Sequence, residues 1–228
     1  MRLLAIETAT DLCSVALMHG DTLVERETGE PRSHADQVLD MVRACLEESG
    51  LALKDLDALV FGRGPGSFTG VRIATGVIQG LALGTGLPVV PVSSLAGHAA
   101  AAWRRLGASR VAVAVDARMG ECYWGCYEVI ATGATRVVTT ERIAGPDAIS
   151  LPPGDDWIGV GTGWRAYPDL GGANPGIRVA DEAILPSARD LLPTAAASLR
   201  RGEAVAAEQA LPVYLRDEVA WQGGQSRN

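Results

Sequence analysis

The sequence predicts an α/β protein of two lobes, each a mixed sheet with helices, the second lobe abbreviated. Three observations lead there. Short apolar runs and helical periodicity alternate in the order β-β-β-α-β-α-β-α over roughly the first hundred residues. A new set of strand-like runs begins just after residue 110. Residues 151–176 are then rich in glycine and proline and hold one clear strand, 157–160, where a full lobe needs more.

The elements follow in order. Residues 3–7 and 14–18 are short apolar runs separated by Thr8-Ala9-Thr10-Asp11-Leu12, and 22–28 alternates in character after the turn His19-Gly20-Asp21. These make a three-stranded meander. Ser33 caps a helix with Asp36 three residues on; Val38, Leu39, Val42, Cys45 and Leu46 recur along one face, and Gly50 ends it. A strand from Ala58 leads into a glycine-rich loop and a second helix, which Gly86-Leu87-Pro88 closes. A strand over 88–92 and a helix through Trp103 complete the first set. The second set opens with strands near 111–115 and 121–129 and a third over 135–142. A last helix, 187–201, carries Pro193 inside it and is expected to start late or kink there. The expected division is a lobe over 1–106, a smaller lobe over 107–220 and a disordered polar tail over 221–228.

Composition bounds the function. Apolar residues make up 47% and charged residues 21%, an ordinary globular mixture. The net charge of −7, with no basic cluster larger than Arg104-Arg105 or Arg200-Arg201, argues against a protein that grips nucleic acid by itself. Cys13, Cys45, Cys122 and Cys126 form no C-x-x-C and find no histidine partners, so they read as buried thiols. Residues 73–92 are uncharged over the length of a membrane span, but four glycines and two prolines interrupt them. Glu7 and Asp11 also spoil a leader peptide, so the expected location is cytoplasmic.

The loop Arg63-Gly64-Pro65-Gly66-Ser67-Phe68-Thr69-Gly70-Val71-Arg72 is the most informative stretch. Its glycines permit positive φ or close backbone approach, Pro65 stiffens it, and Ser67 and Thr69 are placed to cap the helix. Gly64, Gly66 and Ser67 therefore offer an anion site at a helix N-terminus, although no Gly-Lys-Ser/Thr follows. Taken alone, the loop reads first as a tight packing turn. In the helix beyond it, Gly76, Gly80 and Gly84 recur every four residues beside Thr75 and Ala82. Each glycine in a helix interior costs about 1 kcal/mol against alanine, so the run needs compensation. Close approach of another helix supplies it, and packing on the protein's own sheet is the alternative.

With Ala5-Ile6-Glu7-Thr8-Ala9-Thr10 before it, Arg32-Ser33-His34 at the first helix and Asp116-Ala117-Arg118-Met119-Gly120-Glu121 after it, the chain closely resembles the TsaB family. The likeness extends from Met1 to about Arg216 and includes Leu211-Pro212-Val213-Tyr214-Leu215-Arg216. It implies the duplicated-lobe fold of actin, Hsp70 and sugar kinases, which the element order also matches. It implies a non-catalytic partner in tRNA threonylcarbamoyladenosine modification, pairing with the catalytic subunit TsaD or with itself through the first two helices. The resemblance also implies that the ATPase TsaE joins the complex and that tRNA is contacted only indirectly. Arg72, Thr75, Gly76, Gly80, Gly84, Val38 and Val42 are the interface residues this implies. No cofactor is required, and ATP or ADP at an interface is left open.

ATP-hydrolysing proteins of this fold set an acid and small polar residues in the first hairpin, where Glu7, Thr8 and Thr10 stand here. A phosphate or metal-water role and a satisfied tight turn both remain open for them. TsaD carries two histidines four apart on a helix. In the corresponding stretch Val92-Ser93-Ser94-Leu95-Ala96-Gly97-His98, Ser94 replaces the first and only His98 remains, so neither a metal site nor a peptidase is expected. Catalytic relatives often have Asp-x-Gly where Asp116-Ala117-Arg118 stands, and Arg118 is expected to clasp Glu7, Asp116 or Glu121, with a nucleotide phosphate as the sharper alternative. Arg32 and His34 are given a capping or interface role. The alternative reading is a free-standing ATP-binding or ATP-hydrolysing enzyme that also uses Gly159-Val160-Gly161-Thr162-Gly163.

Overall fold

A computed structural model describes residues 1–29, 34–174, 176–180 and 184–216. Arg32, the Ser33 cap and the expected tail over 221–228 lie outside the described residues. The first sheet has strands β1 (Arg2–Glu7), β2 (Cys13–His19), β3 (Thr22–Thr28), β4 (Ala58–Gly62) and β5 (Val89–Val92), in the order β3-β2-β1-β4-β5. Leu4 pairs antiparallel with Leu17 on one side and parallel with Leu59 on the other. β1 and β4 are buried along nearly their whole length, which is why they read as unbroken apolar runs. At the edge, β3 alternates and sends Val24 inward.

The second sheet has β6 (Arg110–Arg118), β7 (Glu121–Val129), β8 (Thr135–Val137), β9 (Arg142–Ala144), β10 (Ile158–Val160) and β11 (Arg178–Val179). Its order, β11-β10-β6-β7-β8 with β9 also on β7, repeats the first: an antiparallel meander on one side of the first strand, two parallel strands on the other. The lobe is duplicated in topology although the sequence shows no repeat.

Helices α1 (His34–Ser49) and α2 (Phe68–Thr85) cover the outer face of the first sheet, where Val38, Val42, Cys45, Ala74 and Ile78 meet Leu4, Ile6, Leu59 and Phe61. Helices α3 (Ser94–Leu106) and α6 (Ala188–Arg200) form a middle layer between the sheets. There they exchange partners: α3, which follows the first sheet, packs on β6 and β7, while α6 packs on β1, β2, β4 and β5. Arg104 of α3 grips the buried Asp190 of α6 through two hydrogen bonds of 2.7 and 3.0 Å. Beyond the second sheet, one-turn helices α4 (Gly163–Ala166) and α5 (Asp169–Ala173) stand where the first lobe has α2, and a 3-10 turn (Pro146–Ala148) stands where it has α1. The second lobe is abbreviated in its outer helices and keeps its sheet.

Four sequence expectations change. Leu39 points outward, 54% exposed, because the buried face of α1 runs through Val38, Val42 and Cys45. The strand expected over 135–142 breaks in two where the Cys126 amide donates to the Thr139 hydroxyl, displacing a ladder bond. α6 begins directly after Ser187, not late, because the Asp190 carboxylate accepts from the Ser187 amide at 2.9 Å and caps it despite Pro193. β11, α4 and α5 were not expected, being too short to carry a period. Trp157 and Trp164, 4% and 6% exposed, pack the outer core of the second lobe. All four cysteines are free and buried, and burial pushes each thiol up to about 11. Among the described residues no helix is long and apolar enough to cross a membrane.

Candidate functional site

Duplication brings four loops together. The β1–β2 and β6–β7 turns, the glycine loop between β4 and α2, and the loop between β10 and α4 surround a cleft of about 740 Å³. Thr10, Asp11 and Ser67 line it from the first lobe, and Asp116, Arg118, Thr162 and Arg165 from the second.

On the first-lobe side Glu7 and Thr8 are taken up by the protein's own groups, while Thr10 and Ser67 line the cleft. Glu7 has no exposed surface; its carboxylate accepts from the Ala9 amide at 2.7 Å and the Ser94 hydroxyl at 2.8 Å. Burial raises its pKa above the usual carboxylate value, and those two hydrogen bonds pull it back in part. Gly62 makes room for it, since a Cβ there would lie 2.0 Å from Oε2. Thr8 is buried and donates its hydroxyl to the Gly70 carbonyl at 2.7 Å. A Cβ on Gly66 would lie 2.5 Å from the Ala9 carbonyl, to which the Ser67 amide donates at 2.8 Å. The Ser67 hydroxyl caps α2 by accepting from the Gly70 amide, and Thr10 accepts from the Leu12 amide. Gly64, at φ +87°, faces the Val213 carbonyl.

The second-lobe side is tied in the same manner. The Asp116 amide donates to the Thr162 hydroxyl at 3.0 Å, and its carboxylate accepts from the Arg118 amide and the Tyr167 hydroxyl. That last bond, with burial, raises the Tyr167 pKa. Of the three partners offered for Arg118, it takes Asp116 at 3.2 Å, while Glu121 goes to Arg216. Gly161 lies at φ +102° with the Ala114 carbonyl 2.3 Å from where a Cβ would sit.

His98 is buried, and its Nδ1–H donates to the Ile184 carbonyl at 2.7 Å. Burial lowers its pKa to about 4, so it is neutral and packed. Its neighbour one turn back, Ser94, holds Glu7. Among the described residues no three histidine, cysteine or acidic side chains are grouped to hold a metal. His34 opens α1, 6% exposed, with its Nε2 unpartnered among the described residues.

Away from the cleft, α2 turns Gly76, Gly80 and Gly84 outward, and a Cβ on any of them would meet nothing within 4 Å. Packing on the protein's own sheet therefore does not explain the stripe. Arg72 lies on the same side, with its guanidinium carbon 3.2 Å from the centre of the Phe68 ring and 5.0 Å from that of Tyr214. Val38, Val42 and Thr75 do not share this face. The two valines enter the core, and Thr75 is buried with its hydroxyl on the Val71 carbonyl. Leu39, Leu83 and Phe68 are the large apolar side chains that α1 and α2 expose, at 54%, 64% and 63%. Sequence reasoning passed over Leu83 and Phe68, whose only signal was lying off the buried stripe of α2.

The comparisons with known proteins converge. The family described as "TsaD: tRNA N6-adenosine threonylcarbamoyltransferase" matches residues 29–223. The tRNA threonylcarbamoyladenosine biosynthesis protein TsaB of Escherichia coli (strain K12) is 47% identical over 225 residues, covering 97% of each chain. Its namesake in Haemophilus influenzae is 37% identical, covering 97% of this chain and 96% of that one. Two solved structures from Pseudomonas aeruginosa share the fold. One is described as an uncharacterized protein with similarity to peptidase YEAZ, at TM-score 0.88 and 49% identity, the other as YeaZ, at 0.86 and 48%. In both cases the match covers 94% of this chain and 99% of the other.

Proposed function

The chain belongs to the TsaB family, and from that premise we propose that it acts in tRNA threonylcarbamoyladenosine biosynthesis as a non-catalytic subunit. In this reading it dimerises with TsaD, stabilises the state of TsaD that transfers the threonylcarbamoyl group, and admits TsaE to a ternary complex. The observation that carries the reading is the outward face of α2. Three interior glycines with open space above them offer a smooth groove that a partner helix can enter closely. The spent carboxylate of Glu7 is consistent with a chain that acts by binding. No cofactor is required; a nucleotide, if one is held, belongs at the joint surface with the partner. Without TsaD the same face serves a second copy of this chain, and tRNA is reached only through the partner.

Depletion of the chain in its own host, followed by nucleoside mass spectrometry of tRNA, tests this reading. Threonylcarbamoyladenosine is expected to fall and to return with a plasmid copy, and TsaD is expected to co-purify with the restored chain. Unchanged modification at confirmed depletion contradicts it. The size of the four-loop cleft favours a second reading, an ATP-binding enzyme in its own right. Magnesium-dependent ATP binding by the isolated chain is the result that would favour it over the first.

A further inference from the structure

Residues 211–216 were conspicuous in the sequence, and neither the cleft nor the glycine stripe accounts for them. The chain arrives there along the first lobe. Val205 bridges to Val89, Ala207 and Ala210 enter the outer core of the first sheet, and the Ala210 carbonyl accepts from Gln79 of α2. Val213 is then fixed to the glycine loop, its amide donating to the Arg63 carbonyl at 2.8 Å and its carbonyl lying against Gly64. Three residues later Arg216 holds the other lobe. Its Nη2 lies 2.7 Å from the Glu121 carboxylate and donates to the carbonyl of Ala117 at 3.2 Å, at the β6–β7 turn. Between the anchors, Tyr214 rests on Phe68 with ring centres 5.8 Å apart.

We propose that residues 213–216 are an interlobe strap that sets how far the cleft can open. One anchor is on the glycine loop and the other on the opposing hairpin, the two walls of the cleft. Three residues of backbone reach at most about 10 Å when fully extended, to which the Arg216 side chain adds its own length, so the lobes separate at this edge only until the strap is taut. The Arg216 side chain is 22% exposed, and its guanidinium meets both a carboxylate and a backbone carbonyl, which gives the far anchor direction as well as charge. The strap also reaches the outward face of α2, because Arg72 lies between Phe68 and Tyr214.

Nitroxide labels at Thr69→Cys and Arg165→Cys, both exposed and on opposite sides of the cleft, report its width by pulsed dipolar spectroscopy on the full chain. The native thiols are buried and stay unlabelled. The parent is expected to give one narrow distance distribution. Arg216→Ala is expected to broaden it and extend it to longer distances, and Glu121→Gln to do so more weakly. The charge-swapped pair Arg216→Glu with Glu121→Arg is expected to restore the narrow form in part, because it returns the ion pair but not the bond to the Ala117 carbonyl. Unchanged distributions in Arg216→Ala and Glu121→Gln would overturn the proposal, because α3 and α6 would then fix the lobes alone. Should Arg216→Ala fail to fold, Glu121→Gln and the swapped pair decide between the same two outcomes.

Discussion

Glu7 has no exposed surface, and a carboxylate in that position must be compensated by hydrogen bonds. It receives them from Ala9 and Ser94. Because its folded pKa lies above the unfolded value near 4.5, the folded state binds the proton more tightly. As pH rises above about 4.5 the unfolded chain ionises first, and stability falls until the folded pKa is passed. Glu7→Gln keeps an acceptor for Ala9 and a partner for Ser94 without the charge. It is expected to flatten this decline in urea titrations carried upward in pH from about 4.5, while leaving partner binding intact. His98 acts in the opposite direction. With its pKa lowered from 6.5 to about 4, the folded state binds fewer protons between those values, so stability falls as pH drops through that window. His98→Asn retains a donor for Ile184 and is expected to lessen the acid loss, which amounts to up to roughly 3 kcal/mol. A pH dependence identical to the parent in either variant would contradict the assignment. The sequence placed Glu7, Thr8 and the glycine loop in one neighbourhood. It did not reveal that Gly62, Gly66 and Gly70 exist to let Glu7, Ala9 and Thr8 press against them, because that contact joins segments about sixty residues apart in the chain.

On α2 two kinds of glycine share one helix. A Cβ on Gly70 would lie 1.9 Å from the Thr8 carbonyl, whereas one on Gly80 would meet open space. Gly70→Ala is therefore expected to destabilise by about 3 kcal/mol or more, and Gly80→Ala to stabilise the isolated chain by about 1 kcal/mol. Thermal or urea unfolding of the pair checks the sign directly; destabilisation by Gly80→Ala would mean that the stripe is part of the chain's own packing. Gly80→Leu separates folding from association: the isolated chain is expected to keep its stability, and titration calorimetry against TsaD to show weaker binding. The period of four was legible in the sequence, and so was its need for compensation. Its direction was not, because glycine carries no hydropathy to mark inside from outside. Val38 and Val42 were given to the interface by the family resemblance, although their place on the apolar face of α1 marks them as inward, and both are buried.

Across the whole molecule, strands fared better than connections. Residues 22–28 and 121–129 match β3 and β7 at both ends, because alternation and bounding turns mark them. The exchange of α3 and α6 between sheets left no local trace, since either helix is simply apolar on the side that meets a sheet. That exchange predicts joint unfolding. In a Trp221→Phe background the remaining tryptophans lie on α3 or among second-lobe elements, so their fluorescence follows that half, while far-ultraviolet circular dichroism follows both. The two denaturation midpoints are expected to coincide. They should move together in Leu191→Ala, which empties a fully buried site in the middle layer at about 2–5 kcal/mol. Separate midpoints would mean that the lobes are independent. The central claim, that this TsaB-family chain works through its α2 face and not through chemistry at Glu7, meets its most direct test in tRNA. Threonylcarbamoyladenosine is measured by mass spectrometry in depleted cells carrying either Glu7→Gln or Gly80→Leu at matched protein levels. The account expects Glu7→Gln to restore the modification and Gly80→Leu to leave it low; restoration by Gly80→Leu, or failure of a Glu7→Gln chain that still binds TsaD, would contradict it.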